Sequence, residues 1–322
     1  VLLTASAGAG YQWYLNGAPI GGATASTYSV TTVPGNSGNY TVTQTVLGCT
    51  SVQSTAVSVT VNALPDDKAV APTSATTVCS GGTVTLEVTA SQSGINYEIV
   101  DQLSNVVSGI VVGTGGNVSL TSTALSTAVT SLRVRATNSI TGCVRLLDAA
   151  DLVTVNAIPA ALTIGPVGPV SVCEGTASVL LTASAGAGYQ WYLNGAPIGG
   201  ATASTYSVTT VPGNSGNYTV TQTVLGCTSV QSTAVSVTVN ALPIDNLIVT
   251  PANTSICIGS TINVTVGGIS ESGVNYQLFD GATPISSIVS GTGLGSIVLT
   301  SSPINANTVV DVVAVNSLTG CS

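Results

Sequence analysis

Seven cysteines are the side chains of this 322-residue chain that are best suited to covalent chemistry. The sequence contains no histidine, so it offers neither a Ser-His nor a Cys-His nucleophile pair. Histidine is also the commonest metal ligand, and no two cysteines stand in the CxxC spacing of a zinc site. The cysteines therefore predict disulfides, and disulfides indicate an oxidising compartment outside the cytoplasm.

The carboxylates offer little further chemistry. Asp66 and Asp67 adjoin each other in a predicted linker, and Asp148 and Asp151 lie near a predicted strand. Neither pair recurs in the second half of the chain, where "PIDN" replaces "PDDK". We interpret these residues as solvated linker charges, with a calcium ion at a joint between domains as the alternative for Asp66 and Asp67. The sequence thus predicts no enzyme, no catalytic residue, no cofactor and no metal.

Composition excludes two further classes of function. The net charge is −8, only 5% of residues are charged and just four are cationic, so no basic patch can neutralise phosphates and nucleic-acid binding is not expected. No apolar run reaches the ~18 residues that a transmembrane helix needs. Abundant Thr, Ser and Val favour sheets with a hydroxyl-bearing solvent face.

The chain is built by repetition. Val1–Pro65 and Val179–Pro243 are identical at an offset of 178 residues, and Val78–Cys143 resembles Ile256–Cys321. This A–B–A–B pattern indicates an array of domains. Strands that run into proline mark the boundaries, and the predicted domains are 1–65, 66–158, 159–243 and 244–322. The first A lacks its opening strand, and the last B lacks its closing strand.

Cysteine spacing predicts one disulfide within each of three domains. The predicted pairs are Cys79–Cys143, Cys173–Cys227 and Cys257–Cys321, and Cys49 has no partner. Its copy is Cys227, and subtracting 178 from 173 places the expected partner of Cys49 at position −5, before the sequence starts. Two explanations remain open: the sequence is a window on a longer tandem array, or it is a subunit whose end domains are completed by strands of its neighbours.

Strand signals every 8–12 residues, separated by Gly, Asn and Pro turns, predict β-sandwiches. The strand "YQWYLNG" carries Trp191, and "SGNYTV" carries Tyr218. These motifs resemble the immunoglobulin-like fold, which implies that Trp13 and Trp191 are the core tryptophans and that Tyr40 and Tyr218 form tyrosine corners. Val220 stands where antibody domains carry cysteine, which argues against an antibody-type domain.

The whole A pattern, from "VCEGTASVLLTAS" to "SGNYTVTQTVLGCTS", is similar to the Ig-like repeats of very large Bacteroidota cell-surface proteins. Many of those proteins are exported by the type 9 system and include gliding-motility adhesins and other fibres. The resemblance implies an extracellular, cell-surface, adhesive or fibre-forming protein, and it supplies no catalytic residue.

The predicted function is therefore a stiff extracellular rod or fibre on a bacterial cell surface. Its expected partners are neighbouring copies of the same protein, an external surface or a glycan. One alternative is a secreted carbohydrate- or ligand-binding array, for which Tyr14 and Tyr192 are the candidate exposed aromatics. Another is a pilus-like polymer of subunits joined by strand exchange.

Overall fold

The computed structural model describes residues 1–72, 74–251 and 254–322, without the side chains of residues 149–151. These residues form strands and two short 3-10 turns, and they divide into two compact units, Val1–Ala157 and Ile158–Ser322. No helix in the described ranges is long and apolar enough to cross a membrane. We call the segments 1–65, 66–158, 159–243 and 244–322 modules A1, B1, A2 and B2.

Module A1 contains two small sheets. In one, β1 pairs with β4; in the other, β2 lies between β3 and β5, and β5 also pairs with β6 and β7. A 3-10 turn at Pro34–Asn36 precedes β5. The strands are β1 (Leu2–Thr4), β2 (Tyr11–Leu15), β3 (Ala18–Pro19), β4 (Thr27–Ser29), β5 (Gly38–Val46), β6 (Cys49–Thr50) and β7 (Val57–Val59).

Module B1 is a more extensive sandwich. Its strands are β8 (Val70–Ala71), β9 (Thr76–Cys79), β10 (Thr85–Val88), β11 (Ile95–Asp101), β12 (Val111–Val112), β13 (Val118–Thr121), β14 (Ser131–Asn138) and β15 (Val144–Asn156). One sheet has the order β13-β10-β8 and the other β12-β11-β14-β15-β9. β9 runs parallel to β15, whereas the other pairs are antiparallel.

Module A2 repeats that arrangement. Its strands are β16 (Ile164–Gly165), β17 (Val170–Cys173), β18 (Val179–Ala183), β19 (Tyr189–Leu193), β20 (Ala196–Pro197), β21 (Thr205–Val208), β22 (Gly216–Val224), β23 (Cys227–Thr228) and β24 (Val235–Asn240), with a 3-10 turn at Pro212–Asn214. The sheets are β16-β18-β21 and β17-β24-β22-β19-β20, and β23 pairs with β22. A first strand split between the two sheets, with its second half parallel to the last strand, is the arrangement of an Ig-like sandwich.

Module B2 contains counterparts of β8 and β10–β14 of B1, together with one additional short strand, β28. They are β25 (Val249–Thr250), β26 (Asn263–Val266), β27 (Val274–Asp280), β28 (Thr283–Pro284), β29 (Val289–Ser290), β30 (Ile297–Thr300) and β31 (Val310–Asn316). β25, β26 and β30 form one sheet, while β27 pairs with β28, β29 and β31 in the other. The prediction of tandem Ig-like β-sandwiches is thus confirmed.

Local sequence explains why these strands form. In β24, Val235, Val237 and Val239 are buried while the intervening Ser236 and Thr238 are not, as expected for a strand with one face on the core. The hairpin after β19 turns at Asn194 and Gly195, whose φ angles of 51° and 83° suit the Asn-Gly turn signal. Buried apolar side chains form four clusters in the described residues, one in each module.

Candidate functional site

The aromatic residues singled out by the sequence lie in the cores of the two A modules. Trp191 and Tyr218 are fully buried, and Tyr206 lies between them with ring centroids 6.0 and 5.9 Å away. Trp191 Nε1 donates a hydrogen bond to the carbonyl oxygen of Ala203 at 2.9 Å. The same contacts recur around Trp13 and Tyr40 in A1. These residues hold the two sheets of each A module together.

The two corner tyrosines close the loop before the strand that carries them. Tyr218 donates its hydroxyl to Asn214 O at 2.7 Å, and Tyr40 donates to Asn36 O at 2.6 Å. Burial, with a smaller contribution from Tyr206, raises the pKa of Tyr218 to about 12. Burial also raises the pKa of Tyr40 above its ordinary value, with Tyr28 adding to the effect.

The cysteines pair differently from the prediction. Cys173 of A2 is bonded to Cys321 of B2, with 5.5 Å between their Cα atoms and 148 residues between their positions. Cys79 and Cys227 are disulfide-bonded as well. Cys49, Cys143 and Cys257 are free thiols. The predicted pairs Cys79–Cys143, Cys173–Cys227 and Cys257–Cys321 are therefore wrong.

Strand direction explains the correction. Cys79 ends β9, which is parallel to β15 and aligns Cys79 with Asn156, whereas Cys143 precedes the first residue of β15. The 13 residues of β15 span about 40 Å at ~3.3 Å per residue, so the two cysteines lie at opposite ends of B1. A disulfide requires Cα atoms within ~7 Å. No bond between Cys79 and Cys143 fits this fold.

The same argument applies to A2. Cys173 is aligned with Asn240 at the end of β24, whereas Cys227 lies beyond the far end of β22. β22 has nine residues, or about 30 Å. In B2, Cys321 is bonded to Cys173, so it cannot also bond to Cys257, which is a free thiol.

Each partner of the Cys173–Cys321 bond is held by backbone structure. Cys173 is the last residue of β17, and the next residue, Glu174, donates its N–H to Asn240 O at 2.8 Å. Cys321 follows a turn in which Asn316 Oδ1 accepts the N–H groups of Leu318 and Thr319 at 3.0 and 3.1 Å. Asn316 N donates to Cys321 O at 2.9 Å. The bond therefore joins the end of one sandwich to a hydrogen-bonded turn of the next.

One sequence signal could have found this pairing. The run "VSVC" is a short strand that ends in cysteine, and in an Ig-like sandwich such a strand pairs in parallel with the last strand. That register places the leading cysteine at the end of its module where the chain leaves for the next one. Sequence spacing within one module contains no such information.

The structure also brings together two carboxyls that lie far apart in sequence. Asp148 N donates to Asp67 Oδ1 at 3.3 Å. A hydrogen bond between the two side chains lowers the pKa of Asp67 and raises that of Asp148, while the nearby Arg145 lowers both. Both side chains are exposed, so we interpret the pair as a polar contact within unit 1. Asp151 lies outside the residues whose side chains are described.

The remaining sequence candidates are less prominent. Tyr14 and Tyr192 are half-buried, and each pairs across its hairpin with a proline, Pro19 or Pro197. Among the described residues, no three cysteine or acidic side chains gather as a metal-binding group. The disulfide between A2 and B2 is therefore the feature on which we base the functional argument.

Comparison with known proteins gives only distant likenesses. No protein-family model matches the chain, and no curated protein matches it significantly. A tandem of titin domains I9–I11 is 15% identical over 75% of this chain and 92% of its own, with a TM-score of 0.25. The first eight Ig domains of Down syndrome cell adhesion molecule are 13% identical over 94% and 43%, with a TM-score of 0.31. The assignment of the fold rests on the strand order described above.

Proposed function

We propose that this chain is part of an extracellular structural or adhesive repeat protein that forms a stiff rod or fibre on a bacterial cell surface. The observation that carries the proposal is the disulfide between Cys173 and Cys321. It joins two successive modules, whereas a disulfide inside one module would stabilise only that module. A compartment in which thiols are oxidised to such bonds lies outside the cytoplasm.

The bond gives the A2–B2 junction a second covalent connection. The backbone already crosses this junction at Ala241–Pro243, and the disulfide crosses it between β17 and the turn at Cys321. Two connections restrict the rotation and bending that a single short linker permits. A rod needs stiff junctions between its modules, whereas a flexible chain of binding domains does not need them.

The bond also protects the modules against tension. A pull between residue 159 and Ser322 passes from Cys173 directly to Cys321, so the residues between them are not stretched. Without the bond, those 148 residues would extend by about 530 Å at ~3.6 Å each.

Single-molecule pulling of the full chain between positions 159 and 322 tests this role. We expect the oxidised protein to rupture without that extension, and Cys173→Ser to release about 530 Å more. Cys257→Ser is the matched control, because it removes a free, exposed thiol and leaves the bond intact. Equal extension of the oxidised protein and Cys173→Ser would contradict a tension-bearing junction.

Location is a separate part of the proposal. The cell surface is suggested by the disulfides and by the resemblance of the sequence to Bacteroidota surface repeats. Antibody labelling of intact producing cells, compared with permeabilised cells, measures it. Labelling of intact cells supports a surface rod, and labelling only after permeabilisation would contradict it.

A further inference from the structure

Three of the four modules carry proline at the same place on the edge of a sheet. Among the described strands, β3, β20 and β28 each pair with one neighbour only, and they contain Pro19, Pro197 and Pro284. In each module, the residue after the proline donates its N–H to the neighbouring strand at 2.8 to 2.9 Å. The proline therefore belongs to a non-hydrogen-bonded pair, and its main-chain groups point away from that neighbour. Since proline has no N–H, it removes the donor that an incoming strand would need.

Module B1 has valine in this position. Val106 lies opposite Val100 of β11. The next residue, Val107, donates its N–H to Ile99 O at 2.9 Å, which matches the hydrogen bond after each proline. Val106 therefore also belongs to a non-hydrogen-bonded pair, so its N–H and C=O point away from β11. Here the donor that proline removes in the other modules is present.

The strand β12 continues this edge of the sheet. Val112 lies opposite Asn96, and Gly113 N donates to Ile95 O at 2.8 Å, so the main-chain groups of Val112 also point away from β11. Among the described strands, β11 is the only one that pairs with β12. Residues 106–112, which we call the B1 edge, therefore offer main-chain donors and acceptors to an incoming strand at both ends.

The side chains along the B1 edge are apolar and exposed. Val106 is 47% exposed, Ile110 61% and Val112 56%. Residues 102–116 contain no charged side chain and no proline, although the net charge of the whole chain is −8. Proteins commonly protect an edge strand from other chains with proline, lysine or another charge. The B1 edge lacks these protections, and two copies can approach there without repulsion between charges on the edge itself.

We propose that the B1 edge is a self-association site at which two copies of this chain pair as antiparallel strands. In this pairing, Val106 of one copy lies opposite Val112 of the other, and the outward main-chain groups of the two residues form hydrogen bonds. The same surface of each copy meets itself, as two-fold symmetry requires. The antiparallel direction also keeps the Asp101 carboxylates of the two copies at opposite ends of the contact.

The contact is small, which determines its strength. Three exposed aliphatic side chains on each copy bury less than the ~1,200 Å² of a stable interface, so the pairing is weak and depends on concentration. The pairing names a partner for the proposed fibre, but it rests on the geometry of the B1 edge and not on the proposed function. The pulling and labelling experiments can therefore fail while this proposal stands, and the reverse also holds.

Sedimentation equilibrium of the full chain, with its free thiols alkylated, measures the pairing at concentrations up to about 1 mM. We expect a concentration-dependent dimer. Ile110→Asp should weaken its association constant at least about tenfold, because it adds a negative charge to each copy at the interface. Ile288→Asp is the matched control: Ile288 is the repeat copy in B2 and is 59% exposed, but the B2 edge contains Pro284.

Val106→Pro is a second variant, and it gives B1 the residue that the other modules carry. It should weaken the dimer as Ile110→Asp does, because each copy loses the outward N–H. Ile288→Asp should leave the dimer unchanged. A chain that stays monomeric at every concentration, or equal weakening by Ile110→Asp and Ile288→Asp, would overturn the proposal.

Crosslinking tests the direction of the strands in a background where serine replaces the three free cysteines. A chain with Val106→Cys, mixed with a chain with Val112→Cys, should form a disulfide between the two positions. Hydrogen-bonded antiparallel residues have Cα atoms ~5.5 Å apart, which is within reach of a disulfide. Chains that carry only Val106→Cys should not crosslink to one another. Equal crosslinking in that sample would contradict the antiparallel pairing.

Discussion

Modules A1 and A2 have identical sequences from Val1–Pro65 and Val179–Pro243, yet their last strands differ. β24 in A2 has six residues and β7 in A1 has three. Val57 is 49% exposed, while its copy Val235 is 5% exposed. The hairpin turn, the aromatic stack and the tyrosine corner are the same in both. Local sequence therefore sets the centre of the module, and neighbouring segments set its edge.

The B modules show the same dependence at the other sheet. β14 in B1 pairs on both sides, and its Leu132, Val134 and Ala136 are fully buried. The repeat copies in β31 of B2 are half-buried, and among the described strands β31 pairs with β27 alone. An open cavity of about 680 Å³ in B2 is lined by residues that include Cys257 and Val310. A strand needs its neighbour to bury the face that its sequence makes apolar.

Removing the disulfide should have the largest effect on unit 2. On the chain-entropy model, closing a loop across 148 residues stabilises by about 5 kcal/mol, so Cys321→Ser should lower the free energy of unfolding of unit 2 by up to that amount. Denaturant unfolding of the full chain measures the change. Cys143→Ser, at the repeat copy, should have little effect, and equal losses in the two variants would contradict the account.

Shortening a side chain in the leading segment of A2, which is Ile158–Ala177, should lower the stability of A2 but not that of A1. Ile164→Ala removes a buried side chain that packs on A2, and we expect a loss of about 2–5 kcal/mol in the stability of A2 with none in A1. Val167→Ala, at an exposed position of the same segment, is the control. Hydrogen exchange resolved by peptide measures each module separately. A matching loss in A1 would show that the segment does not act on A2 alone.

The corner hydrogen bond should behave alike in both copies. Tyr218→Phe and Tyr40→Phe each remove one hydroxyl bond to a backbone carbonyl, which costs about 1 kcal/mol. Because the bond is local, we expect similar losses, measured by hydrogen exchange in each module. A loss confined to A2 would mean that the corner, too, depends on the leading segment.

Alkaline titration should give an effect that is confined to high pH. Tyr218 has a folded pKa of about 12, above the ordinary value of 10.0. Between these values the unfolded chain loses the proton while the folded chain keeps it, so stability is unaffected below about pH 10 and falls as the pH rises towards 12. Tyr218→Phe should flatten this part of the pH profile of unit 2. An unchanged slope in the variant would mean that other groups cause the loss of stability at high pH.

Much of the fold can be predicted from the sequence. Alternating valines, the Asn-Gly hairpin and the positions of Trp191 and Tyr218 predict an Ig-like sandwich, because each signal is local. The cysteine pairing cannot be predicted in this way, because Cys173 meets Cys321 only through the parallel register of β17 and β24 and the contact between two modules. The meeting of Asp67 and Asp148, which are 81 positions apart, depends likewise on contacts between distant segments.

The most direct test of the account uses the two tryptophans of the chain, one in each A module. Trp13→Phe leaves Trp191 to report on A2, and Trp191→Phe leaves Trp13 to report on A1. Urea titration of their fluorescence under oxidising conditions should give a higher midpoint for Trp191 than for Trp13, and reduction of the disulfides should narrow the gap. Coincident midpoints under oxidising conditions would contradict the claim that the segment before β18 and the disulfide stabilise A2 relative to the identical sequence in A1.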